Sequence, residues 1–274
     1  MKQRELERLA EIARKARVAI VRMTAAAGSG HPGGSLSAVE ILTYLYFKEL
    51  RLDPADPQKA GRDRFVLSKG HGAPALYAIL ALRGFFPEEI LTRLRKIDSP
   101  LQGHPHRLDI PGVEASTGSL GQGLSIANGM AMGYRMSGAT GRVYALIGDG
   151  ESQEGQIWEA AMTAGFHKLS NLCVFLDYNN LQIDGRVSDI KDIAPIRAKW
   201  EAFNWNVEEI DGHDFRAIER AVRRARRQTQ MPTMIVARTV KGKGISFMEN
   251  RVEFHGLAPT QEELVTALRD LSDG

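Results

Sequence analysis

Val143-Tyr144-Ala145-Leu146-Ile147 running into Gly148-Asp149-Gly150-Glu151, and Leu172-Cys173-Val174-Phe175-Leu176 running into Asp177-Tyr178-Asn179-Asn180, decide the fold. Each is a short apolar run of the kind that forms a parallel strand buried on both faces, closed by turn residues at its carboxyl end. Between them Ile157, Ala160, Ala161, Ala164 and Leu169 recur at roughly helical spacing. The stretch therefore reads as strand, turn, helix, strand, turn. A βαβ unit of this kind brings both strand ends to one crevice, where open α/β sheets hold their ligands. The fold class expected is α/β, a parallel sheet with helices on both faces.

Asp149 and Asn179 stand at the two strand ends and can share one cation. A carboxylate, a carboxamide oxygen and a nearby backbone carbonyl are hard oxygen ligands, too few to complete an octahedron. That suits Mg²⁺, which keeps places for water and phosphate oxygens. A diphosphate carried by Mg²⁺ is the expected ligand. Gly-Asp-Gly and Asn-Asn are each common turn sequences by themselves, and it is their joint spacing that points to a site.

Outward from this unit, the chain is ordinary globular material: 274 residues, 43% hydrophobic and 25% charged, formal net charge +3. One domain over residues 1–274 is the simplest organisation. The charge is mild and requires no nucleic acid. Arg220, Arg223, Arg224 and Arg227 recur on one face of a helix starting near Asp214, without interleaved aromatics, and read as a solvated face. Cys173 is the one cysteine, placed in a strand, so no intrachain disulfide is possible and a reducing compartment is favoured. No apolar run reaches membrane-spanning length, and the first residues lack a signal-peptide core. The expected location is cytoplasmic, away from membranes.

Residues 4 to 26 read as an amphipathic entry helix, leading into Gly28-Ser29-Gly30-His31-Pro32-Gly33-Gly34, expected as a loop, and a further helix from about Ser37. Arg64 to Ser68 reads as a strand ending in Lys69-Gly70-His71-Gly72. Helices are expected over 74 to 83 and 87 to 96, then a long loop from Asp98 to Gly118 that carries Gly103-His104-Pro105-His106; such loops are usually functional. Thr117-Gly118-Ser119-Leu120-Gly121-Gln122-Gly123 precedes a helix of small residues. Asn206 to Ile210 and Thr233 to Arg238 are late strands, and a short helix is expected near Gln261 to Leu271.

Four of the seven histidines, His31, His71, His104 and His255, stand beside glycine in or next to expected loops. Imidazole is the side chain best suited to proton transfer near neutral pH. If βα connections gather these four at one rim, they line one pocket.

Gly-Asp-Gly followed by Asn some thirty residues on resembles the thiamine diphosphate signature. With Gly28 to Pro32, Arg64 to His71, Gly103-His104-Pro105, Thr117 to Gly123, Lys241-Gly242-Lys243-Gly244 and His255-Gly256 in the same order, nearly the whole chain resembles the amino-terminal half of a transketolase. The resemblance implies the thiamine diphosphate-binding fold and an enzyme of carbohydrate metabolism in the pentose phosphate pathway. It implies Asp149, Asn179 and the Leu181 carbonyl as ligands of Mg²⁺. It implies His71, Gly118, Ser119, Leu120, Asp149, Gly150, Glu154, Asn179, Ile183, Lys241 and His255 as cofactor contacts, and His31, His71, His104 and His255 as the catalytic imidazoles. His31 and His255 would lie near O3 of a donor ketose and His104 near its C1 hydroxyl. Gly34 departs from the serine that some relatives carry.

Members of this family hold the aminopyrimidine of thiamine diphosphate with a second domain. The resemblance thus implies a split enzyme, in which this subunit pairs with a carboxyl-terminal, pyrimidine-binding subunit in an α2β2-type heterotetramer. Glu154 matches a residue at the interface of paired active sites; a helix-start carboxylate facing the dipole is its plainer reading. The activity implied moves a two-carbon ketol unit from a sugar phosphate of the xylulose 5-phosphate type to one of the ribose 5-phosphate type. The α chain of a 2-oxo-acid dehydrogenase's decarboxylating component, and a transketolase-like enzyme for an unusual sugar, are the alternatives. A non-catalytic nucleic-acid-binding protein resting on the arginine helix is the reading from another class.

Overall fold

The computed structural model describes residues 1–273. Its centre is a five-stranded, all-parallel sheet built from β1 (Arg64–Leu67), β2 (Val143–Gly148), β3 (Leu172–Tyr178), β6 (Asn206–Asp211) and β7 (Thr233–Arg238). Their spatial order is β1-β2-β3-β7-β6. A two-stranded antiparallel ribbon, β4 (Leu181–Gln182) with β5 (Gly185–Arg186), follows β3 directly.

Alternation along the strands divides the interior into two layers. Val143, Ala145 and Ile147 of β2 and Leu172, Val174 and Leu176 of β3 face one side. Tyr144, Leu146, Cys173 and Phe175 face the other. The first layer is covered by α5 (Gln122–Met136), α6 (Gly155–Phe166) and α8 (Ile196–Ala202). The second is covered by α1 (Gln3–Ala27), α3 (Val39–Tyr44), α4 (Ala73–Arg83), α9 (Phe215–Arg227) and α10 (Gln261–Asp273). Helices on both faces are what apolar strands without a polar side require. Two short helices, α2 (Pro32–Leu36) and α7 (Val187–Ile190), sit in the loops. Cys173 is fully buried, and burial pushes its thiol up to about 12.

Three local expectations need correction. Pro32-Gly33-Gly34 is not loop but the first turn of α2. Proline suits that position, and a side chain at Gly33 would bring its Cβ to 2.7 Å from the Phe254 carbonyl, so close packing rather than looseness requires the glycine. The helix after Ser37 widens into a π-type turn over Leu45–Glu49 instead of running on. Residues 87 to 96 form only a 3₁₀ stretch, Glu88–Arg93, although Leu91 and, just beyond it, Leu94 are buried in the core and Ile90 packs against it. Of the arginine face, Arg224 pairs with Glu208 at 2.7 Å and Arg220 with Asp214 at 3.7 Å, as a solvated, ion-paired surface.

Candidate active site

Because the main sheet is all parallel, the carboxyl ends of its strands meet at one rim. β1 delivers Lys69 and His71, β2 delivers Asp149 and Gly150, β3 delivers Asn179, and β7 delivers Lys241. These residues, with His31, His104, Gly118, Leu120, Glu154, Leu181, Ile183 and His255, wall a cleft of about 320 Å³. Every residue expected at the site is in this wall except Ser119, which is solvent-exposed on the turn before α5 and lies outside it. Ile183 is 67% exposed at the lip, and Glu154 is exposed at the start of α6 without a side-chain capping bond.

The four imidazoles converge. His31 lies 5.5 Å from His71, 5.9 Å from His104 and 5.6 Å from His255, between ring centroids, and His71 lies 5.1 Å from His255. Burial first, then the neighbouring cations, keep them neutral: His31 falls to about 4, His255 to about 3, and His71 well below its ordinary value. The Lys241 ammonium lies 2.8 Å from His255 Nδ1 and the Arg95 guanidinium 3.4 Å from His31 Nδ1. Both cations only donate, so each Nδ1 accepts and the proton of each ring sits on Nε2.

The three residues expected to hold a cation come from the ends of β2 and β3 and the ribbon that follows. Asp149 accepts the Gly150 amide at 2.8 Å and the Asn180 amide, while Asn179 Oδ1 accepts the Leu181 amide at 3.1 Å. The Leu181 carbonyl accepts the Lys241 ammonium at 2.9 Å. Burial and the Asp177 carboxylate push Asp149 up to about 6. Among the described residues no group of three His, Cys, Asp or Glu is arranged around a metal. One buried carboxylate with two neutral oxygens instead fits Mg²⁺ that arrives with diphosphate oxygens. Gly118, at φ +145°, passes under His104: a Cβ there would sit 3.0 Å from the ring, which keeps this wall low enough for a ligand.

Two buried carboxylates essential to this geometry were not assigned from sequence. Glu151 accepts from Ser68 Oγ at 2.5 Å and from the Gly121 and Gly148 amides at 2.9 Å, tying β1, β2 and the start of α5 together. Asp177 pairs with Lys69 and accepts from Ser37 Oγ at 2.6 Å and from Thr239. The sequence signal for both was a carboxylate inside or next to an apolar strand, where only a partner makes a charge tolerable.

The family described as "Transketolase, thiamine diphosphate binding domain" matches residues 9–272. The chain is 48% identical over 244 residues to a protein named as a 6-deoxy-6-sulfo-D-fructose transketolase subunit from Clostridium sp. (strain MSTE9), covering 89% of each. It is 40% identical over 269 residues to a protein of Phocaeicola vulgatus named as an apulose-4-phosphate transketolase subunit, covering 98% of this chain and 95% of that one. Transketolase from Campylobacter jejuni superposes with a TM-score of 0.90 at 33% identity, covering 99% of this chain and 43% of that longer one.

Proposed function

On the premise that this chain belongs to the transketolase family, we propose that it is the thiamine diphosphate-holding subunit of a two-chain transketolase. Its reaction is transfer of a two-carbon ketol unit from a ketose phosphate to an aldose phosphate. The observation that carries this reading is the single cleft in which four neutral imidazoles face the donor set Asp149, Asn179 and Leu181.

In this reading Asp149, Asn179 and the Leu181 carbonyl hold Mg²⁺, and His71, Gly118, Leu120, Gly150, Glu154, Ile183, Lys241 and His255 surround the cofactor. Bound thiamine diphosphate supplies an electron sink for the carbanion left by carbon–carbon cleavage. The residues of this chain bind and orient the sugar. His31 and His255 offer Nε2–H donors to hydroxyl oxygens at the C3 end, and His104 meets the C1 hydroxyl. Charge on His31 or His255 is disfavoured beside Arg95 and Lys241, so both rings stay neutral and act on the sugar as Nε2–H donors.

A pyrimidine-binding partner chain, in an α2β2-type assembly, completes the site. Subunit contact is supported by large apolar side chains left in solvent on α5 and α6, where Met136, Met162 and Phe166 are 89%, 57% and 77% exposed. It is further supported by the word "subunit" in the names of both relatives. The fully buried, unpaired Cys173 suits a cytoplasmic setting.

The name of the 48% identical relative favours a second reading of the substrate, an unusual ketose with a terminal sulfonate in place of phosphate. Neither relative named above acts, by name, on a 2-oxo acid. Calorimetric titration with thiamine diphosphate and Mg²⁺, followed by a donor panel of xylulose 5-phosphate and 6-deoxy-6-sulfofructose with the partner present, tests both. Cofactor binding without use of either ketose would leave the fold assignment standing and remove both substrates.

A further inference from the structure

A second polar chain, none of whose side chains lines the cleft, crosses three elements. Arg17 of α1 and Glu40 of α3 form an ion pair at 2.7 Å, with each side chain 9% exposed. Glu40 Oε2 lies 2.9 Å from Nδ1 of His213, in the loop after β6. Nε2 of the same ring accepts the backbone amide of Val240 at 2.9 Å. Arg17 Nε donates to the Lys243 carbonyl at 2.9 Å. The segment between those two contacts carries Lys241, whose ammonium reaches the Leu181 carbonyl and His255.

The chemistry of the ring admits one state. A backbone amide only donates, so Nε2 is bare, and Nδ1 carries the proton toward the Glu40 carboxylate. Neutral His213 thereby joins a fixed charge pair on two helices to one amide of the Val240–Lys243 turn. On its other side the turn donates from Gly242 to the Gly33 carbonyl at 3.0 Å. It is thus pinned both by side chains, His213 and Arg17, and by backbone, Gly33.

We propose that His213, oriented by Glu40 and Arg17, is a positioning residue: it holds the Val240–Lys243 turn at the height that lets Lys241 reach the Leu181 carbonyl and His255. The ring touches neither the cleft nor any residue assigned to the metal. Its effect on cofactor affinity rests on the function proposed above; its effect on the turn does not.

The test compares the wild-type chain with His213→Phe, which keeps a ring without an acceptor, and His213→Gln, whose amide oxygen can still accept the Val240 amide. Hydrogen exchange followed by mass spectrometry should show residues 239–244 exchanging about tenfold faster in His213→Phe, while β7 and β3 keep wild-type protection. His213→Gln should restore most of that protection. Half-saturation by thiamine diphosphate with Mg²⁺, read by tryptophan fluorescence, should rise by a similar factor in His213→Phe and return toward wild type in His213→Gln. Unchanged exchange at 239–244, or faster exchange spread evenly over the sheet, would overturn the positioning role. Wild-type protein that binds no thiamine diphosphate would overturn the proposed function instead, and the exchange result would still decide the role of His213.

Discussion

Lys69, in the wall of the cleft, and Asp177 behind it form an ion pair, their side chains 2% and 0% exposed. The remaining polar valences are met locally: Lys69 also donates to the Gly34 carbonyl at 2.8 Å, and Asp177 accepts from Ser37 and Thr239. The pair joins the ends of β1 and β3 to the start of α2, so the position of this wall depends on it.

Removing one partner leaves the other charge buried and alone. Lys69→Met should lower unfolding free energy in urea by about 3–5 kcal/mol. The double variant Lys69→Met with Asp177→Leu should recover much of that loss. A single variant as stable as wild type would mean that water reaches Asp177.

The carboxylate of Asp177 is held below its usual range, with burial opposing and Lys69 overcoming it. Its contribution is present above the unfolded carboxylate value, about 3.9, and is lost as pH falls through the folded value below that. His31 and His255 act in a higher window. Their folded values of about 4 and about 3 lie below the unfolded imidazole value near 6.5, so the unfolded chain binds more protons as pH drops from there. Stability in urea should therefore decline between pH 6.5 and 4. Imidazole carbon shifts of His31 followed by NMR should stay at the neutral position down to pH 5; titration of His31 near 6.5 would contradict the burial and the Arg95 contact.

Gly118→Ala places a side chain at φ +145° with its Cβ 3.0 Å from the His104 ring. Backbone strain and the displaced ring should cost about 1–3 kcal/mol, seen as a lower melting temperature. The variant should also weaken thiamine diphosphate binding, because the wall under His104 is raised. A fully stable variant with wild-type cofactor affinity would show that this turn does not border the ligand.

His255→Ala removes one sugar-facing donor and the 2.8 Å partner of Lys241. Turnover of the assembled enzyme should fall about a hundredfold, with cofactor affinity changed far less. Equal losses in turnover and affinity would mean that His255 acts only through the cofactor and donates nothing to the sugar.

The strands and the gathering of the site were legible in sequence for one physical reason. Apolar runs such as Val143 to Ile147, short and closed by glycine turns, suit a doubly covered strand, and parallel strands send Asp149, Asn179 and His71 to the same edge. What escaped was set by tertiary contact. Nothing local marks Pro32-Gly33-Gly34 as helix; the nearby Phe254 carbonyl explains the glycine only once the chain is folded. Likewise Glu40, His213 and Val240 are far apart in sequence, and their alignment exists only where α3 meets the β6 and β7 loops. Residues 87 to 96 had a helical pattern, and Ile90, Leu91 and Leu94 do pack on the core, but the turn that carries them is 3₁₀ and the chain leaves the core at Ile97, 90% exposed.

The most direct test of the account is ketol transfer to ribose 5-phosphate from a panel of ketose donors, with thiamine diphosphate and Mg²⁺. The isolated chain is compared with the same chain recovered with its partner from its own cells. The account predicts that the isolated chain binds the cofactor without turnover, and that the recovered complex transfers the two-carbon unit from at least one ketose. Turnover by the isolated chain, or a cofactor-loaded complex inert toward every ketose in the panel, would contradict it.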